Sequence, residues 1–314
     1  MKIVRTRIPF IVSYQLLIFF LLFIGCGSSP EKANHDADTI SLNTLGYDLN
    51  NPDVTFVLPL VLHEISGIAV IDSSSVACVQ DENGIVFIYN VRKKGITDQI
   101  TFHGNGDYEG ITNENGTIYV LRSDRTLFRI KSLKSSELAE EIRLKVLPHN
   151  DYEGLCFDRK NNRLLIAPKE KIENGSGTGV KRGIYGFDLK IEIPENAPVI
   201  GFNLAVIKKF AAENNIFPVS ETDKKGKGDK SEINFSPSAI GIHPLTGKLF
   251  LLSSTDRMLF VFDMSGTIEF MTRLNPEMFT MPEGITFFEN GDMLISNEGQ
   301  KGIPTILRFN YKND

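Results

Sequence analysis

Three glutamates, each followed by glycine and an aliphatic residue, are the positions where chemistry would concentrate. Glu109 lies in Asp107-Tyr108-Glu109-Gly110-Ile111, Glu153 in Asp151-Tyr152-Glu153-Gly154-Leu155, and Glu283 in Met281-Pro282-Glu283-Gly284-Ile285. Two weaker echoes, Glu64-Ile65-Ser66-Gly67-Ile68 and Ser236-Pro237-Ser238-Ala239-Ile240, carry serine at that position. Carboxylates brought to one place repel each other unless a cation neutralises them. Hard oxygen donors suit Ca2+, so Glu109, Glu153 and Glu283 are the candidate metal ligands, with calcium the expected ion. The alternative neutraliser is a basic side chain, and Lys169, Arg122 and Arg257 are the candidates for a salt-bridged cluster without metal.

The elements that must position these residues follow from the spacing. Gly67 to Gly110 is 43 residues, Gly110 to Gly154 is 44, and Ala239 to Gly284 is 45. After each motif come a few apolar residues, a turn, a second apolar run, a polar cluster and a third run. In one module the turn is Asn115-Gly116, the second run Thr117 to Leu121, and the third run Leu127 to Ile130. Asn-Gly between short apolar runs is a hairpin signal. Four-stranded units repeating at this period predict an all-β fold, a β-propeller. Expected outer strands are Ile96 to Phe102, Glu141 to Leu147, Phe202 to Phe210 and Thr267 to Arg273. The last module lacks one, and the segment Tyr47 to Leu58 is expected to supply it and close the ring.

Only the interval from Gly154 to Ala239 is long, at 85 residues. It holds two inserts, near 171–182 and 211–234, the second with Lys224-Lys225-Gly226-Lys227-Gly228. Both are expected to be mobile, solvated loops. With them set aside there is room for one module, which favours five blades, with six as the alternative.

In a blade the innermost strand lines the channel and the second runs back antiparallel. The start of the first strand and the end of the second therefore share one mouth. That places Asp81, Asp124, Lys169, Glu170, Asp256, Asn297 and Glu298 beside the three glutamates as candidate ligand-binding residues. His103 and His149 precede the two Asp-Tyr-Glu motifs and are weighed as a general base against an ordinary loop role, which is the favoured reading. No nucleophile elbow, Cys-x-x-Cys pair or phosphate-cradling loop is present. Cys78 and Cys156 sit in apolar runs and read as buried small residues.

A chain of 314 residues with a formal net charge of −5 gives no nucleic-acid signature. Lys2, Arg5 and Arg7 precede an apolar stretch, Ile8 to Ile24, and then Gly25-Cys26-Gly27-Ser28-Ser29. This predicts a signal peptide over 1–25, a lipidated Cys26, a flexible tether over 26–45, and one propeller domain over 46–314. The expected location is the cell envelope, extracytoplasmic and held to a membrane by the N-terminal lipid. The expected partners are a small ligand or an envelope protein, with the chain itself monomeric.

These motifs, with Leu164-Leu165-Ile166-Ala167-Pro168-Lys169-Glu170 and Gly183-Ile184-Tyr185-Gly186-Phe187, resemble the SdiA-regulated family of bacterial envelope propellers over about residues 54–310. The resemblance implies an envelope β-propeller and no established activity. A more distant likeness is to esterase-like phytases and calcium-dependent lactonase propellers, which implies a hydrolase of phosphate esters or lactones. Ser66 and Ser238 depart from the glutamates of those proteins. The primary reading is therefore a propeller that binds a divalent cation and a ligand at one mouth. A metal-free interaction platform is the third reading.

Overall fold

Each module's alternating apolar pattern folds as a four-stranded antiparallel sheet, and five such sheets form a ring. The computed structural model describes residues 45–134, 138–149, 151–169, 182–216 and 233–312. Blade 1 comprises Ile65–Val70, Ser75–Gln80, Asn83–Asn90 and Gly95–Asn105. Blade 2 comprises Tyr108–Glu114, Thr117–Arg122, Thr126–Ile130 and Glu140–Arg143. Blade 3 comprises Tyr152–Asp158, Arg163–Pro168 and Arg182–Asp188, with two short pieces, Ile193–Pro194 and Ile200–Phe202, sharing its outer edge. Blade 4 comprises Ala239–Ile242, Leu249–Ser253, Met258–Phe262 and Ile268–Arg273. Blade 5 comprises Pro282–Phe287, Met293–Asn297 and Thr305–Phe309, and its outer strand is Val54–Val57 from the other end of the chain.

The five-blade, strand-closed ring matches the expectation. Val54 pairs with Arg308 and Val57 with Thr305, so the edge of Thr305–Phe309 is covered and Val54–Val57 becomes the outer strand of that sheet. Five apolar clusters fill the gaps between neighbouring blades. Cys78 and Cys156 are buried free thiols within two of them.

The expected outer strand Phe202 to Phe210 is corrected. Only Ile200–Phe202 is strand, and Leu204–Glu213 is an α-helix. The Asn203 side chain caps it, accepting from Ala205 N and Val206 N. Leu204, Ile207, Phe210 and Ala211 recur at helical spacing and pack on the core between blades 3 and 4. The supposed insert over 211–234 is therefore narrower: its start is helix, and Ile233 and Phe235 are core residues. Its centre, most of the 171–182 insert, and the signal and tether over 1–44 lie outside the described residues. Among the described residues no helix is long and apolar enough to cross a membrane.

In the four motifs that carry it, glycine lets neighbouring inner strands meet at the axis; the blade 4 motif has Ala239 there. A Cβ on Gly110 would lie 2.6 Å from Leu155 Cβ and 2.8 Å from the Glu153 carbonyl oxygen of the next blade. On Gly67 it would lie 2.9 Å from the Glu109 carbonyl oxygen. Replacing Gly110 with alanine should therefore destabilise the ring by about 2–3 kcal/mol, as overpacking of a rigid neighbour does. A fall in urea midpoint at constant slope measures it.

Candidate functional site

The Asp-Tyr-Glu-Gly motif divides its work among its residues. Tyr108 and Tyr152 are fully buried. Tyr108 Oη donates to the Gly104 carbonyl at 2.7 Å, and Tyr152 Oη accepts from His149 N at 3.1 Å, so each tyrosine clamps the chain arriving from the previous blade. Asp107 accepts from Ser123 Oγ at 2.6 Å, tying the start of one strand to the end of the next. The strand register then slips between Tyr108 and Gly110, between Tyr152 and Gly154, and between Pro282 and Gly284. Each slip is a β-bulge, and the residue inside it is the glutamate. A bulge re-aims a side chain, and these three turn Glu109, Glu153 and Glu283 into one cluster.

Lys169, next after the second strand of blade 3, joins them. Its ammonium pairs closely with Glu153 Oε1, and it interacts with Glu109 and Glu283 as well. Ser236 Oγ holds the Lys169 carbonyl at 2.7 Å. Glu153 is 3 % exposed, and Glu109 and Glu283 are partly buried. Burial, then Glu153 and Asp107, pushes Glu109 up to about 9, with Lys169 pulling the other way. Burial pushes Glu153 and Glu283 each up to about 8 against the pull of Lys169. Burial opposes the Lys169 charge, yet the three glutamates hold the ammonium above the usual lysine range. The Ser254 side chain also pulls Glu283 down. The second oxygen of Glu153, Oε2, is buried with no hydrogen-bond partner.

The two serines at equivalent positions do something else. Ser66 Oγ donates to the Tyr108 carbonyl at 2.6 Å, and Ser238 Oγ donates to the Pro282 carbonyl at 3.1 Å. Each pins its blade to the next one, where a glutamate has joined the acid cluster instead.

The other expected site residues divide. Glu298 and Asp81 belong to the same mouth. Burial and Glu64 push Glu298 up, and it also feels Lys169. Burial, then Glu64 and Glu298, pushes Asp81 up to about 6, and its Oδ1 is buried and unpartnered. Asp124 is tied up outside the cluster by Arg122 at 3.0 Å and Arg143 at 3.3 Å. Asp256 is a structural anchor, accepting from Asn234 N, Phe235 N and Ser253 Oγ. Asn297 is fully buried and donates to the Met278 carbonyl and Thr305 Oγ1. Glu170 and Cys26 lie outside the described residues. His103 faces Tyr108 Oη and Glu141, and His149 faces Tyr185 Oη.

Sequence reasoning missed Glu64 and Asp107 as members of this acidic mouth. Glu64 stands two places before the serine of its motif, where only the blade 1 geometry brings it to Asp81 and Glu298. Asp107 does cap the strand end, and it also faces Glu109. Among the described residues no group of three His, Cys, Asp or Glu side chains is arranged as a metal cage. The neutralising charge the structure places among the glutamates is Lys169.

No known family's sequence profile matches the chain, and no curated protein matches it. Solved structures do. The glutaminyl cyclase of Myxococcus xanthus is similar at a TM-score of 0.56 and 10 % identity, over 83 % of this chain and 96 % of that one. A chain of the nidogen/laminin complex aligns at a TM-score of 0.47 and 11 % identity, over 74 % of this chain and 72 % of that one. The first likeness establishes the fold: this chain is a β-propeller.

Proposed function

We propose that this protein is a lipid-anchored, extracytoplasmic binding propeller that takes a cation at the acidic mouth formed by Glu109, Glu153 and Glu283. The observation that carries the reading is Glu153 Oε2, a buried carboxylate oxygen without a partner inside a cluster where three carboxyls share one ammonium. An orphaned buried acceptor costs roughly 1–3 kcal/mol, and a bound cation removes that cost. Calcium is the first ion to test, since the donors are hard oxygens. A primary ammonium is the second, since Lys169 already shows that the cluster accepts one. The envelope location rests on the basic and apolar N-terminal segment with Cys26, and on the likeness to the SdiA-regulated propellers.

The test is a thermal melt of chelator-stripped protein titrated with Ca2+, Mg2+ and propylamine. A ligand at 100 times its dissociation constant adds about 2.7 kcal/mol. The expected result is a raised midpoint with one of the three and none in Glu153→Gln. No shift with any of them sinks the reading and leaves the metal-free platform.

A catalytic reading of the same mouth is favoured by one observation. Burial pushes Glu153 and Glu283 up to about 8, toward the range in which a carboxyl can both take and give protons. A calcium-dependent hydrolase of lactones or phosphate esters would show turnover that disappears in Glu153→Gln. A glutaminyl peptide belongs in the same screen, given the name of the Myxococcus neighbour.

A further inference from the structure

The opposite mouth of the channel opens into a cavity of about 1050 Å3 that the acid cluster does not touch. Its walls follow from strand alternation, since every second residue of an inner strand faces the same way. Two residues beyond each Glu or Ser position stand Ile68, Ile111, Leu155, Ile240 and Ile285, one per blade and all buried. They close the floor and separate the cavity from the three glutamates. Two residues further on stand Val70, Asn113, Phe157, Ile242 and Phe287, all half-buried. This second ring is apolar except for Asn113, whose side chain is already used by the Val70 carbonyl and Gly116 N. Two further on, the ring becomes an exposed polar rim that includes Asp72, Arg159 and Glu289.

The rim's charges are unequally committed. Asp72 accepts from Ser74 N at 2.7 Å and Ser74 Oγ at 3.0 Å. Arg159 reaches across from blade 3 to Glu289 of blade 5 at 2.9 Å. Both side chains are at least 70 % exposed, and such a pair is worth at most about 1 kcal/mol. Lys160, also on the rim, makes no ion pair among the described residues. A large concave site with apolar walls and a few polar groups at its edge is the usual form of a small-molecule site.

We infer that this cup binds a small amphiphile with an anionic head: its apolar body fills the Val70–Phe157–Ile242–Phe287 ring, and its head meets Lys160 and takes Arg159 from Glu289. This is a second site, independent of the cation reading at the other mouth.

The experiment is a fluorescence titration of the full chain with anilinonaphthalene sulfonate, an aromatic anion, followed by competition with octanoate and with octylamine. Saturable dye binding to the folded protein is expected, with displacement by octanoate and at least tenfold weaker displacement by octylamine of the same tail length. The double variant Arg159→Glu, Lys160→Glu changes only exposed side chains and should weaken octanoate at least tenfold with an unchanged melting midpoint. Ile242→Glu should abolish dye binding, its folding checked by circular dichroism. Absence of saturable binding, equal competition by the two tails, or unaltered octanoate affinity in the folded double variant would each overturn the inference.

Discussion

Stability should fall as pH rises from about 5 to about 9. Glu109, Glu153 and Glu283 ionise near 4.5 in the unfolded chain and at about 9, 8 and 8 in the folded one. Between those limits the folded state holds more protons than the unfolded state, so the free energy of unfolding declines with pH. The contribution is fully present below the unfolded value and is lost as pH passes the folded values. For an isolated group, each tenfold weakening of its acidity on folding corresponds to about 1.4 kcal/mol. These three share protons, and two keep some solvent contact, so the expected loss is a fraction of the full sum, roughly 2–4 kcal/mol. Urea midpoints at pH 5, 7 and 9 measure it, and Glu153→Gln should flatten the profile and gain stability at pH 9. A midpoint that rises between pH 5 and 9 would contradict the burial of these carboxyls.

Lys169→Met should cost the most where the glutamates are ionised. Removing one partner of a buried ion pair costs about 3–5 kcal/mol. The Lys169 side chain is 42 % exposed while Glu153 is buried, so solvent screening lowers the expectation to about 1–3 kcal/mol at pH 9. At pH 5 the three carboxyls carry protons, little charge is left uncompensated, and the variant should approach wild type. A cost independent of pH would mean that Lys169 contributes by packing its methylene stem alone.

Much of this was legible in the repeated motif. The Glu/Ser-Gly/Ala-aliphatic motif, at 43–45-residue spacing outside the one long interval, marks the blades, and at Gly67 and Gly110 the next inner strand leaves no room for a side chain. The pairing of Val54–Val57 with the final strand was legible from a last module one strand short. Lys169 stood out as a candidate because it follows the second strand of its blade, and the ion pair with Glu153 is the contact that position permits. The bulges that gather the glutamates were not legible: a one-residue slip leaves no mark in an apolar pattern. The helix Leu204–Glu213 was misread because its alternating start, Phe202-Asn203-Leu204, resembles strand. The capping asparagine and the later i, i+3, i+7 apolar spacing were the contrary signals. The second mouth went unnoticed because its lining is ordinary aliphatic residues. Their meaning appears only when five strands are read across at one level.

The closing strand has a consequence for how the chain is made. Asn310 N bonds the Asp53 carboxylate 257 positions away, and Lys312 N donates to the Gly46 carbonyl beside it at 2.9 Å. The first residues of the propeller to leave the ribosome are therefore the last to find their partners. Blades 1 to 4 have their strands within continuous stretches of chain, and each is ready to form as it emerges. Blade 5 has to wait for Thr305–Phe309, and until then two sheet edges stay open to other chains. Vectorial synthesis thus leaves one vulnerable interval, and it ends only when Thr305–Phe309 has emerged.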